Sequence, residues 1–121
     1  MYENDEFKRQ HPVLNLPPQH GVVGERNEDE SPGSFNSGLF SALLDRGDVK
    51  GVFVGHDHIN DYVGNYFGIY LGYSANTGFG TYGLGGADNH RLRGARVFVL
   101  NEDDPEHFET HMVFARDYGI Q

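Results

Sequence analysis

The sequence predicts an α+β fold with one short helix and several strands. Three observations favour it. One segment has the apolar spacing of an amphipathic helix, and a short β-branched segment follows it closely. Later segments alternate large apolar residues with glycine or polar residues, as strands do. The 121 residues are enough for one domain, and the 17 glycines, about 14% of the chain, are roughly twice the usual share.

The chain divides into an irregular first part and a regular second part. Residues 1–33 hold four of the five prolines and an acidic run from Glu25 to Glu30, so we expect loop there. Residues 34–121 hold the segments with helix-like or strand-like periodicity. We therefore expect the folded elements in that second part.

The helix is predicted over residues 36–46. Its apolar residues fall on one helix face; they are Leu39, Phe40, Leu43 and Leu44. Ser34 or Asn36 can accept hydrogen bonds from the first N–H groups of the helix. Gly47 can adopt the left-handed backbone that ends a helix.

Strands are predicted in four places after the helix. Residues 49–54 and 95–100 are short, apolar and rich in valine, which is typical of buried strands. Residues 66–73 alternate glycine with large apolar residues, and residues 107–114 alternate apolar with polar ones. The last two strands should form a hairpin, and residues 76–93, which are rich in glycine, should form a loop.

Charge and composition exclude several classes of function. The 18 acidic and 9 basic residues give a net charge of −9, so neither a nucleic acid backbone nor an anionic membrane is an expected partner. No run of apolar residues is long enough to span a bilayer. The lack of cysteine excludes disulfides, thiolate zinc sites and a cysteine nucleophile. Oligomeric state and cellular compartment are left open.

A pair of histidines directly after the first predicted strand is the main candidate site. His56 and His58 are two residues apart, so in extended backbone both imidazoles point to one side, and neutral imidazole is the commonest metal ligand. Gly55 would let the backbone turn sharply and approach an ion closely. Asn60 and Asp61 could orient the two histidines by hydrogen bonding. The alternative is a solvated loop that happens to be rich in histidine.

Other histidines give weaker signals. His107 and His111 lie on the polar side of the last predicted strand, so a solvated strand face is the simplest interpretation. His90 lies in the glycine-rich loop, either exposed or facing a substrate at the mouth of a site. A bare dinucleotide pattern begins at Gly78, but no helix-opening context follows it.

Several segments together resemble a known family. Residues 36–40 and 47–61, in which Gly-His-Asp-His is followed by Asn-Asp, resemble the C-terminal metal-binding segment of calcineurin-like metallophosphoesterases. The branch most similar is the one related to purple acid phosphatases. The likeness continues through residues 66–83 and 93–98, and so covers roughly residues 21–100.

The resemblance implies a fold and a chemistry. The fold would be the C-terminal part of a four-layer αββα domain, a partial calcineurin-like β-sandwich flanked by helices, formed here by residues 34–121. His56 would bind one metal ion and His58 the other, in a centre of two divalent or mixed-valence ions of iron, zinc or manganese. The substrate would be a phosphate ester, attacked by a metal-activated water. His11, which is followed by proline, is a further candidate ligand from upstream.

The sequence also departs from this family. The motifs Asp-x-His, Gly-Asp-x-x-Asp and Gly-Asn-His-Asp/Glu, which supply the other ligands and the catalytic histidine, are absent. We therefore expect the chain to be the C-terminal portion of a longer enzyme or a truncated gene product, to contain no catalytic residue of its own, and to be inactive alone. By itself it is expected to bind one ion or none. The alternative is a non-catalytic, β-rich module that binds a metal or another ligand.

Overall fold

A computed structural model of the chain describes residues 22–120, so the candidate ligand His11 lies outside the described residues. The elements, in chain order, are α1 (Leu39–Arg46), β1 (Gly51–Val54), β2 (Val63–Tyr66), β3 (Ile69–Tyr73), β4 (Gly94–Leu100) and β5 (Phe108–Phe114). Short 3-10 helices cover Gly86–Asp88 and Ala115–Tyr118. One α-helix and two small sheets among the described residues agree with the predicted α+β class.

The first sheet is mixed, with the strand order β1-β3-β2. β1 and β3 are parallel, and β2 and β3 form an antiparallel hairpin. The prediction of one strand over residues 66–73 is wrong, because the chain reverses at Phe67 and Gly68, whose φ angles are +51° and +86°. Two consecutive positive φ angles are typical of the tight turns that join hairpin strands. The Gly68 N–H donates to Oδ1 of Asn65 at 2.9 Å and stabilises the turn.

Part of the acidic run lies beside this sheet. Isolated antiparallel bridges join Val23 to Val63 and Arg26 to Asn60. Gly24 permits the close approach, because a Cβ at this position would lie 2.6 Å from the Cα of Tyr62. A segment predicted as loop therefore contributes to the surroundings of the candidate site.

The second sheet is the antiparallel pair β4-β5, which confirms the predicted hairpin. Its register runs from Gly94 opposite Phe114 to Leu100 opposite Phe108. The prediction that β4 is buried is wrong for its last residues, since Val99 is 48% and Leu100 is 75% exposed. Apolar composition indicated a strand correctly, but it does not say what covers each face.

Helix α1 begins at Leu39, three residues later than predicted. Gly38 precedes it in left-handed backbone with φ +79°, and Oδ1 of Asn36 accepts the Gly38 N–H at 2.8 Å. Asn36 thus stabilises a turn before the helix and caps no helical N–H. The predicted end is confirmed, because Gly47 has φ +83° and donates to the carbonyl of Leu43 at 3.3 Å. Within the described part of the chain, no helix is both long and apolar enough to cross a membrane.

The core lies against the mixed sheet. Its buried residues are Tyr62, Tyr66, Ile69, Leu71 and Tyr73. Phe40 and Leu43 of α1 pack against this cluster, whereas Leu39 and Leu44 are 44% and 42% exposed. Only half of the predicted apolar helix face is therefore covered. The core fixes β1 and β2, and so both ends of the loop that carries the two histidines.

Candidate functional site

Two loops leave the mixed sheet at the same edge. Because β1 and β3 are parallel, the loop after Val54 and the glycine-rich segment after Tyr73 begin side by side. The N–H of Asn76 donates to the carbonyl of His58 at 3.2 Å and joins the two loops. Carboxyl edges of parallel strands are where open α/β sheets place their ligands. The histidine loop, residues 55–61, lies at this edge.

His56 is the exposed member of the pair. Its side chain is 77% exposed, and Nδ1 lies 3.3 Å from Oδ1 of Asp57, whose own side chain is buried. The backbone of His56 has φ +89°, so the sharp turn expected at Gly55 occurs one residue later. Such a conformation is strained for a residue with a Cβ, and strained residues cluster at functional sites. The approach of Gly55 to an ion stays a prediction.

His58 is held on two sides by the glycine-rich segment. Its ring stacks on that of Tyr82, with centroids 4.2 Å apart and planes 10° from parallel. Its Nδ1 lies 2.7 Å from the hydroxyl of Thr81. Among the described residues, Nδ1 is the ring nitrogen of His58 that has a hydrogen-bond partner. Nε2 is therefore the nitrogen left to bind an ion. Sequence reasoning missed both Thr81 and Tyr82.

Tyr82 is itself anchored by the acidic run. Its hydroxyl lies 3.0 Å from Oε1 and 2.9 Å from Oε2 of Glu28. The same carboxylate accepts the backbone N–H of Ile59 at 3.1 Å. Burial, and then the hydrogen bond to Glu28, raise the pKa of Tyr82 above its ordinary value. Tyr82 is therefore a neutral hydrogen-bond donor at physiological pH.

Asn60 and Asp61 hold the acidic run against the histidine loop. Oδ1 of Asn60 accepts the N–H groups of Asn27 at 2.8 Å and Glu28 at 3.1 Å. Oδ1 of Asp61 accepts the N–H of Glu25 at 2.6 Å, and burial raises the pKa of this carboxyl. Their side-chain hydrogen bonds within the described residues thus go to the acidic run, and their orienting role towards His56 and His58 stays a prediction.

A buried arginine donates a hydrogen bond to the backbone of the glycine-rich segment. Arg93 is 2% exposed, and its Nη2 donates to the carbonyl of Thr81 at 2.6 Å. Among residues 22–120, its Nε and Nη1 have no hydrogen-bond partner. His90 is half-buried, with its ring 4.9 Å from that of Phe79. The direct bond from Arg93 fixes the backbone of the residue that contacts His58.

Two further histidines among the described residues lie in or directly before strand β5. Nδ1 of His107 is 2.8 Å from Oδ1 of Asp104, a hydrogen bond that raises the pKa of His107. His111 lies on β5, and both side chains are exposed, as the interpretation of a solvated strand face predicts.

The described residues do not complete a metal centre. Within residues 22–120, no three side chains of His, Asp or Glu are grouped so that they could hold a metal ion. His56 and His58 each fit the role of an imidazole donor. They fit a shared centre only if further ligands come from outside the described residues.

Several known plant proteins are similar in sequence to this chain. No protein-family model and no solved structure matches it. It is 43% identical over 88 residues to Probable inactive purple acid phosphatase 29 of Arabidopsis thaliana, which is 73% of this chain and 22% of that protein. It is 45% identical over 62 residues to Probable inactive purple acid phosphatase 14 of the same plant, which is 51% of the chain and 16% of that protein.

A third plant relative gives the same result. Probable inactive purple acid phosphatase 28 of Arabidopsis thaliana is 33% identical over 61 residues, which is 50% of this chain and 15% of that protein. The chain thus spans about a fifth of the length of these relatives or less. It is related by sequence to the purple acid phosphatases, which confirms the resemblance that the Gly-His-Asp-His segment and its surroundings predict.

Proposed function

We propose that the chain supplies His56 and His58 as imidazole ligands to the metal centre of a purple acid phosphatase-type protein that hydrolyses phosphate monoesters. The observation that carries the proposal is the setting of His58. Its Nδ1 is occupied by Thr81 at 2.7 Å, and its ring lies flat on Tyr82. Metal-binding histidines characteristically use one ring nitrogen for the ion while a hydrogen bond fixes the other.

The remainder of the centre would come from a longer protein. The proposed centre holds two ions, divalent or of mixed valence, drawn from iron, zinc and manganese. Such ions, when bound, lower the pKa of a water and bind phosphoryl oxygens. The part played by this chain is narrower: it places two imidazoles at the carboxyl edge of β1 and is inactive alone.

A second candidate is a non-catalytic module that binds a metal or another ligand. The names of all three relatives include the words "probable inactive", and this favours a protein that keeps part of the fold without the reaction. The histidine pair would then bind an ion that stabilises the loop. The two candidates share the ligands and differ in hydrolysis.

Metal binding by the 121-residue chain tests what the candidates share. Equilibrium dialysis against Zn²⁺, Mn²⁺ and Fe²⁺ should detect at most one bound ion per chain. Binding should be lost in His56→Ala and in His58→Ala and retained in His107→Ala, whose side chain is 80% exposed and bonded to Asp104. Bound metal that is indifferent to the first two substitutions would refute the assignment of the pair.

Hydrolysis separates the candidates. The longest protein that the coding sequence specifies, loaded with metal, should release phosphate from p-nitrophenyl phosphate, and both His56→Ala and His58→Ala should abolish the release. The 121-residue chain should release none. A metal-loaded long protein with both histidines intact and no activity would favour the non-catalytic module.

A further inference from the structure

Two residues distant from His58 in sequence contact its ring, and a third residue anchors one of them. Thr81 and Tyr82 lie in the glycine-rich segment, and Glu28 lies in the acidic run, 54 residues before Tyr82. We call these three residues, Glu28, Thr81 and Tyr82, the His58 clamp. Thr81 and Tyr82 restrict different motions of one imidazole ring, and Glu28 holds Tyr82 in place.

Tyr82 and Thr81 fix the ring in two independent ways. A ring stacked within 10° of parallel at 4.2 Å cannot leave its plane without losing that contact. A hydroxyl 2.7 Å from Nδ1 opposes rotation within the plane, because rotation would break the hydrogen bond. Together they determine the direction in which Nε2 points.

The contact with Thr81 is compatible with the tautomer that metal binding through Nε2 requires. A neutral imidazole carries one N–H, and a hydroxyl can accept or donate. When Nδ1–H donates to Thr81, Nε2 keeps its lone pair for an ion. The carbonyl of Thr81 is occupied by buried Arg93 at 2.6 Å, so the backbone that presents the hydroxyl is fixed.

Glu28 connects Tyr82 to the loop that carries His58. Its carboxylate accepts from the Tyr82 hydroxyl at 2.9 and 3.0 Å, and from the N–H of Ile59, the residue after His58, at 3.1 Å. Hydrogen bonds to an ionised carboxylate are about twice as strong as neutral ones. The carboxylate of Glu28 therefore holds both Tyr82, which stacks on the His58 ring, and the backbone of Ile59.

We propose that Thr81 and Tyr82, anchored by Glu28, are positioning residues that hold His58 in the Nδ1–H tautomer with Nε2 presented to an ion. This inference rests on the proposed function for the identity of the ligand as a metal. The state of the ring in the metal-free chain does not rest on it. The two can therefore fail separately.

The tautomer is measured first, by long-range ¹H–¹⁵N NMR of the metal-free 121-residue chain at about pH 8, where an ordinary imidazole is neutral. The wild-type spectrum should show the proton of His58 on Nδ1. Thr81→Val, which keeps the shape and removes the hydroxyl, should shift population to the Nε2–H form, and Thr81→Ser should restore the wild-type pattern. A wild-type His58 protonated on Nε2 would overturn the proposal.

Zn²⁺ affinity is measured next, by titration calorimetry. Thr81→Val should weaken binding about 10- to 100-fold, the range for loss of a residue that orients a ligand. Tyr82→Phe keeps the stacked ring and loses the bond to Glu28, so it should weaken binding less than Tyr82→Leu. Tyr118→Phe is the matched control, since Tyr118 is 72% exposed, and it should change nothing.

The outcomes distinguish the two claims. If the tautomer responds to Thr81→Val but neither the 121-residue chain nor the longer protein binds Zn²⁺ through His58, the clamp stands and the proposed function fails. If Zn²⁺ binds through His58 with unchanged affinity in Thr81→Val and Tyr82→Leu, the proposed function stands and the clamp is refuted. Recovery in Thr81→Ser excludes a general loss of folding as the cause.

Discussion

The side-chain amide of Asn60 forms hydrogen bonds with both the backbone N–H and the backbone carbonyl of Glu28. Its Nδ2 donates to the Glu28 carbonyl at 3.1 Å, and its Oδ1 accepts the Glu28 N–H at 3.1 Å. Asn60 is fully buried, so these bonds replace water that its polar atoms have lost. The relationship fixes the acidic run beside the histidine loop and sets the position from which Glu28 reaches Tyr82.

Asn60→Ala should destabilise the chain strongly. It removes a buried amide and leaves three backbone groups, two of Glu28 and one of Asn27, without their partner. We expect a loss of about 2–4 kcal/mol in the free energy of unfolding, measured in urea. Asn36→Ala, at an exposed asparagine, is the control and should cost less than about 1 kcal/mol. Equal losses would contradict the role given to Asn60.

Glu30 should make stability fall in acid. Burial raises the pKa of this carboxyl, but hydrogen bonds from Arg26 and Tyr62 outweigh it and leave the pKa below its ordinary value of 4.5. The unfolded chain therefore binds the proton more readily, so this contribution is complete above pH 4.5 and is lost as pH falls through the folded pKa.

Glu30→Gln tests that sign. Urea unfolding between about pH 3 and 7 should show lower stability for Glu30→Gln at neutral pH and a shallower loss in acid. Arg26→Gln should reproduce the effect in part, because Tyr62 still donates to the carboxylate at 2.6 Å. If the contribution of Glu30 to the free energy of unfolding instead increased as the pH fell, the predicted sign would be wrong.

Asp61 should change stability with pH in the direction opposite to Glu30. Burial raises the pKa of its carboxyl above 3.8. The folded chain holds the proton more tightly, so stability declines as pH rises from about 3.8 through the folded pKa and stays lower above it. Asp61→Asn keeps an oxygen for the Glu25 N–H and removes the buried charge.

The expected result for Asp61→Asn is therefore a gain in stability at neutral pH that disappears in acid. Asp117→Asn, at an exposed side chain in the last 3-10 helix, provides the control. It should not change the free energy of unfolding at neutral pH or in acid. A uniform loss of stability at every pH would show that the second carboxylate oxygen makes a contact the amide cannot replace.

Local signals in the sequence predicted much of the fold. The end of α1 at Gly47 and the β4-β5 hairpin followed from residues adjacent in sequence, and so did the position of the histidines after a strand. The turn at Phe67 and Gly68 did not, because a bulky residue with positive φ is uncommon and Gly68 also fits the alternation of glycine with large apolar residues that predicted a single strand.

The surroundings of the site could not be read in the same way. Glu28 contacts Tyr82 across 54 positions, and Thr81 contacts His58 across 23. No periodicity connects such residues, since only the folded sheet brings the two loops to one edge. The acidic run was predicted as loop because charged residues dominate it and prolines stand in the segment around it. A threonine and a tyrosine among glycines were the available signal for the other half of the clamp.

His56 offers a direct test of strain at the site. Its φ of +89° is readily adopted by glycine and costs a residue with a Cβ about 1–3 kcal/mol. His56→Gly should therefore unfold at a higher urea concentration than His56→Ala, with a difference of about 1 kcal/mol or more. His107, which is exposed and lacks a positive φ, should show the reverse order, because glycine there only adds freedom to the unfolded chain. If His56→Gly were no more stable than His56→Ala, the backbone at His56 would be relaxed. Zn²⁺ binding should be lost equally in both variants, since both lack the imidazole, so the stability difference isolates the backbone from the ligand.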